Sequence, residues 1–286
     1  MQRVSKQWRE CCRKPRALAF LTPQLDQLPR LGPLCSMVSG VEHFLTDMQH
    51  LGMWSDLRVL KNVPLLSSLF VNGRLVNWSQ IVPLPRLRKL HIWNCDQELD
   101  SLFLSGRCPK LQDLEIRKCV QFKKYSLSLL QGFRDLERLS LQKINVESKH
   151  LHTLASLTRL EHLELNDCPL IYNLEWLLPL TQLQSLSLSG CGFIQDLKPV
   201  RGLLCLKVLN LNGCWGLKSR RNLEHLHSLW HLEVFNANTW FETEGLSILM
   251  QWPHLRQVTL RDCKFEGDAK RQFVTWCGRK KVHLSL

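Results

Sequence analysis

From Leu87 onward the chain repeats one arrangement of apolar and polar positions. LRKLHIWNC begins at 87 and returns as LQDLEIRKC at 111, LERLSLQKI at 136, LEHLELNDC at 160, LQSLSLSGC at 183, LKVLNLNGC at 206, LWHLEVFNA at 229 and LRQVTLRDC at 255. The copies start 24, 25, 24, 23, 23, 23 and 26 residues apart. Weaker copies flank them, LSSLFVNGR at 66 and KKVHLSL at the C-terminus, and residues 28 to 60 are expected to hold a degenerate capping unit. Within each copy leucines alternate with polar residues, the period-two signature of a half-buried strand. One short strand cannot bury its apolar face alone, so the repeats must stack into a parallel sheet over a shared core. About ten such strands at ~4.8 Å spacing predict a curved inner face on the order of 45 Å long. The ninth position turns the chain out of the strand and is Cys at 95, 119, 168, 191, 214 and 263. Outer segments such as PLIYNLEWLLPLTQ (169 to 182) leave room for a turn or short helix. EGDAKRQFVTWC (266 to 277) predicts a helix with Phe273, Trp276 and Cys277 on one side, capping the last repeat.

These units resemble leucine-rich repeats of the cysteine-containing kind, LxxLxLxxC, over residues 60 to 286. The resemblance implies an α/β fold: a leucine-rich repeat solenoid, or horseshoe, with a parallel concave sheet and short convex segments. The expected organisation is a basic N-terminal segment over 1–27, a degenerate capping region over 28–60, repeats over 61–265, and a C-terminal cap helix with the last strand over 266–286.

Composition changes this picture little, since 44% hydrophobic and 22% charged residues in 286 are ordinary for a globular protein. No apolar run approaches the ~18 residues of a membrane-spanning helix. Charge interleaves the first sixteen residues too densely for a secretory signal, so the expectation is an intracellular protein, cytoplasmic or mitochondrial, with its twelve cysteines as thiols and NWS (77 to 79) unglycosylated. The net charge of +13 is concentrated at the ends. Arg3, Lys6, Arg9, Arg13, Lys14 and Arg16 face only Glu10, while Lys264, Lys270, Arg271, Arg279, Lys280 and Lys281 face Glu266 and Asp268.

Catalytic signatures are missing: there is no GxSxG, GxxxxGK, HExxH or GxGxxG. One cysteine per repeat makes a line rather than a tetrahedron, and no CxxC occurs, so the cysteines predict buried thiols and no metal site. His227 and His231 are four apart, but His231 falls in LWHLEVF, a predicted strand, where that spacing does not pair them. The expectation is a protein with no enzymatic activity and no cofactor.

Leucine-rich repeat proteins usually bind partners on the concave sheet, whose outward side chains are the second, third, fifth, seventh and eighth of each repeat. Over the eight clear repeats these comprise nine bases (Arg88, Lys89, Arg117, Lys118, Arg138, Lys143, Lys207, Arg256, Arg261) and eight acids (Asp113, Glu115, Glu137, Glu161, Glu164, Asp167, Glu233, Asp262). A phosphate backbone needs an uncompensated basic track, so this near-neutral face predicts a protein partner. The candidate contact residues are Arg88, His91 and Trp93, then the acids Glu161, Glu164 and Asp167, then Trp230 and Phe235 as aromatic anchors.

RVSKQWRECCRKPRALAFL, from residue 3, is similar to the last helix of an F-box, a domain that often precedes cysteine-containing leucine-rich repeats. The earlier F-box helices are not in this sequence. The segment also reads as a mitochondrial presequence, with Val4, Trp8 and Cys11 or Cys12 along one helical face, or as a solvated basic cap. These readings leave three functions open: a protein-interaction adaptor, the substrate-recognition subunit of a cullin-based ubiquitin ligase recruiting the F-box-binding adaptor, or a subunit of a mitochondrial ribonucleoprotein touching RNA through its basic termini.

Overall fold

A computed structural model of the chain describes residues 66–72, 83–96, 99, 100, 103, 107–122, 124–217, 226, 245–261, 263, 265 and 267–286, with the backbone of short strands at 19–20, 43–47, 55–56, 75–76 and 234–238. Two compact units divide the chain, Met1–Leu136 and Glu137–Leu286. The first contains β1 (Ala19–Phe20), β2 (His43–Asp47), β3 (Ser55–Asp56), β4 (Ser68–Asn72), β5 (Leu75–Val76), β6 (Lys89–Trp93) and β7 (Asp113–Arg117). Of these β1, β2, β4, β6 and β7 lie side by side in that order, all parallel, while β3 pairs with β5. The second unit contains β8 (Arg138–Gln142), β9 (His162–Asn166), β10 (Ser185–Ser187), β11 (Val208–Asn210), β12 (Val234–Asn238), β13 (Gln257–Arg261) and β14 (His283–Ser285). These seven strands form one parallel sheet in sequence order.

The repeat letters account for the geometry position by position. In β6, β7, β8 and β9 the fourth and sixth residues of the repeat are buried, and the third, fifth and seventh keep solvent contact. The eighth residue lies in the left-handed region, with φ between 53° and 76° at Asn94, Lys118, Lys143, Asp167, Gly190 and Gly213. Its N–H still donates to the seventh carbonyl of the next repeat, as from Asn94 to Arg117 and from Asp167 to Ser189. The ladder is thus kept for one more bond while the chain turns out of the sheet.

That turn delivers the ninth residue into the core, where a small side chain with a weak donor is wanted. Cys119 Sγ lies 3.5 Å from the Ile92 carbonyl, Cys168 3.5 Å from Leu141, Cys191 2.9 Å from Leu165 and Cys214 3.2 Å from Leu188. Each acceptor is the sixth residue of the preceding repeat, so each thiol adds a bond that ties its repeat to the one before. Burial pushes the thiols of Cys119 and Cys214 up to about 12 and that of Cys168 to about 11, and raises that of Cys191 further.

Beyond the cysteine, every third residue is apolar and buried: Ile171, Leu174, Leu177, Leu180 and Leu183, then Ile194, Leu197, Val200, Leu203 and Leu206. Main-chain bonds span three residues to match, from Leu177 to Leu174, Leu180 to Leu177 and Leu183 to Leu180. A period of three is that of the 3-10 helix, and 3-10 turns occur at Glu175–Leu177, Lys198–Gly202 and Ser148–Ser156. At the C-terminus Gly267–Lys280 is an α-helix that buries Phe273 and Cys277. Lys281, at φ 57°, ends it, and the Val282 N–H turns back to the Cys277 carbonyl at 2.9 Å.

One expectation changes. The strand expected within LWHLEVFNA lies three residues later than the leucine phase put it, because Val234, Phe235 and Asn236 pair with Val208, Leu209 and Asn210 on one side and with Gln257, Val258 and Thr259 on the other. Leu232 therefore opens this repeat, the 26-residue interval precedes it, and a 23-residue interval follows. The alternating leucines at 229 and 232 mimic the first and fourth positions of a repeat, but alignment with both neighbours wins. Within 28–60, the stretch expected to hold a degenerate capping unit, β2 pairs with β4, Phe44 opposite Leu69 and Thr46 opposite Val71. The fourth and sixth positions there are Phe and Thr, so no leucine pattern marked it. Residues 1–18, with most of the segment read as an F-box tail or presequence, lie outside the described residues.

Candidate functional site

Because parallel strands align like positions, each unit carries rows of side chains across its exposed sheet face. In the first unit the third-position row is Ser68, Lys89, Asp113; the fifth is Phe70, His91, Glu115; the seventh is Asn72, Trp93, Arg117. These side chains engage one another. Trp93 Nε1 donates to Glu115 Oε1 at 2.9 Å, Phe70 meets the Trp93 ring edge-on at 4.5 Å, and the Arg117 guanidinium carbon lies 5.6 Å from the ring centroid. His91 is placed between two carboxylates, Nε2 3.3 Å from Asp113 and Nδ1 3.6 Å from Glu115. Lys89 reaches Asp113 at 3.9 Å, Arg88 donates to Gln112 at 3.1 Å, and Asn94 donates to Asn72 at 2.7 Å. The result is an aromatic and ionic patch whose rotamers are held before anything binds.

The structure thus places His91 and Trp93 on β6 and Arg88 immediately before it, and adds partners that the sequence reading had not selected, Phe70 and Asn72. Their signal was the weak copy at 66, whose phase places Phe70 fifth and Asn72 seventh.

In the second unit Glu164 Oε2 accepts from Ser140 Oγ at 3.1 Å and from Gln142 Nε2 at 3.3 Å, so this acid is committed to its neighbours on β8. Asp167 pairs with Lys143 at 3.8 Å, one eighth-position residue with the next. The Glu161 carbonyl accepts the N–H groups of Gln184 and Ser185, and its half-buried side chain stands at the second position, before β9. Further along, Ser187 Oγ donates to Asn166 Oδ1 at 2.6 Å. Trp230 lies outside the described residues. Phe235 shares ladder register with Leu209 and Val258, both buried, which is the fourth position and not the outward seventh that the leucine phase assigned.

Neither face carries a single sign. Two repeats of the first unit present Arg88, Lys89, Arg117 and Lys118 with Asp113 and Glu115, and four repeats of the second present Arg138, Lys143 and Lys207 with Glu137, Glu161, Glu164 and Asp167. Among the described residues no three His, Cys, Asp or Glu side chains gather to hold a metal, and no helix is long and apolar enough to cross a membrane.

No protein-family model matches the chain, and no curated protein matches it in sequence. Solved structures do match. An internalin (inlF) from Listeria monocytogenes superposes with a TM-score of 0.65 at 17% identity, covering 88% of this chain and 68% of that one. Internalin C2 (inlC2) from the same organism superposes with a TM-score of 0.56 at 15% identity, covering 71% of this chain and 83% of that one. At these identities the likeness is one of fold: with its aligned parallel strands, the chain has the α/β leucine-rich repeat fold.

Proposed function

We propose that the protein is a non-catalytic interaction scaffold that holds another protein on its exposed sheet face, with β6 and β7 of the first unit as the primary contact. The observation that supports this most is Trp93, a half-buried ring on the solvent side of the sheet, fixed by Glu115, Phe70 and Arg117. An aromatic side chain locked in place costs little ordering entropy on association and is the usual energetic anchor of an interface. Acids and bases are interspersed around it, which suits a protein of complementary pattern and gives a polyanion no uncompensated basic track.

The test uses the full chain with a photoreactive residue at Arg88 to capture and identify the partner, followed by affinity measurement. Trp93→Ala weakens that partner by roughly ten- to thirtyfold at an unchanged melting temperature. Unchanged affinity, or a loss of binding that merely tracks a large drop in melting temperature, sinks the reading.

A further inference from the structure

In the second unit, the loops that follow Cys168, Cys191 and Cys214 carry Leu170, Tyr172, Phe193 and Trp215, which are 41, 58, 62 and 57% exposed. The core does not need them, because Ile171, Ile194 and Leu217 in the same loops fill it. The loops pack main chain against main chain. A Cβ at Gly216 would strike the Ile194 carbonyl oxygen and stand 2.8 Å from that of Gly192, and a Cβ at Gly192 would stand 3.1 Å from the Trp215 ring. Ser148 Oγ, at the start of the preceding repeat's 3-10 turn, accepts the Tyr172 N–H at 2.7 Å. With no space between the loops, the large side chains project outward as a row, one step per repeat.

Three observations select an occupant. Among the described residues, Lys143 pairs with Asp167 at 3.8 Å and Lys149 with Glu147 at 2.5 Å, so these two bases are already answered by acids and are not open to a lipid headgroup or nucleic acid. Three aromatic rings of about 150–250 Å² each, more than half exposed, offer on the order of 300 Å² of apolar surface. That marks an interaction patch but falls well short of the ~800 Å² per partner of a stable dimer. The row also advances by ~4.8 Å per repeat, close to the ~5.4 Å rise of one α-helical turn.

We infer that this row is a second docking surface, independent of the β6–β7 patch, for a short amphipathic helix of a partner protein with one apolar residue per turn. Its residues meet Leu170 and Tyr172, Phe193, and Trp215 in successive turns.

The experiment places a photoreactive residue at Phe193 of the full chain, with Leu178, an exposed leucine on an outer segment, as control position. The expected adduct maps to a protein segment with apolar residues at helical spacing. A synthetic peptide of that segment binds the chain and gains helical circular dichroism. Phe193→Ser with Trp215→Ser, or Leu170→Ser with Tyr172→Ser, weakens the peptide at least about tenfold while Trp93→Ala does not. The inference is overturned by an adduct with phospholipid or with a second copy of the chain, by a segment without that spacing, by labelling no stronger than at Leu178, or by unchanged peptide affinity in both double variants.

Discussion

The cysteines show how much one residue type can be asked to do in a repeat. Position nine needs a side chain small enough for the core that also offers a proton to the preceding repeat's carbonyl, and a thiol meets both requirements where Ala or Leu meets one. The raised values of Cys119, Cys168 and Cys214 have a signed consequence. The folded state holds these protons more tightly than the unfolded chain does, so their stabilising contribution is complete below pH 9 and is lost as pH rises through about 11 to 12. Thermal melts should fall steeply above pH 9, and Cys168→Ala with Cys214→Ala should flatten that fall while lowering stability at pH 7 by about 1–3 kcal/mol each. A melting temperature independent of pH between 8 and 11 would contradict it. The cysteine line was legible from spacing alone; the bonds to the sixth carbonyl were not, since they span neighbouring repeats.

At the scale of the element, each repeat is a strand, a left-handed residue and a run of three-residue turns. The left-handed residue is Gly at 190 and 213 but Lys at 118 and 143, where a Cβ is tolerated at some cost. Lys118 is exposed and its site tests the point cleanly. Lys118→Val should destabilise by ~1–2 kcal/mol and Lys118→Gly should leave stability equal or slightly higher, measured by urea unfolding. If Val is tolerated as well as Gly, the left-handed turn is not what closes the strand. Strand positions in β6, β7, β8 and β9 were readable because leucines flank them, whereas β2 hid behind Phe44 and Thr46. In β12 a leucine pair three residues early set a false phase. Hydrophobic alternation specifies which residues face inward, but only pairing with both neighbours chooses among overlapping frames.

At the scale of the whole molecule, the charge of +13 says more about the ends than about the sheet. Arg279, Lys280 and Lys281 are exposed at the end of the C-terminal helix, while Arg88 and Lys89 sit beside Gln112 and Asp113. Filter binding to poly(U) across a salt series should therefore lose about two to three units of log–log slope when Arg279, Lys280 and Lys281 become Gln, and under one when Arg88 and Lys89 do. The opposite ranking would make the sheet face a nucleic-acid surface. Length, period, apolar frame and the placement of the thiols were determined by the sequence alone, because each depends on spacing within one repeat. Which side chains meet was decided only by the tertiary structure. Trp93 with Glu115 and Phe70, Glu164 with Ser140, and Trp215 over Gly192 are contacts between residues 22 to 24 positions apart in neighbouring repeats, and their geometry exists only once the strands have stacked.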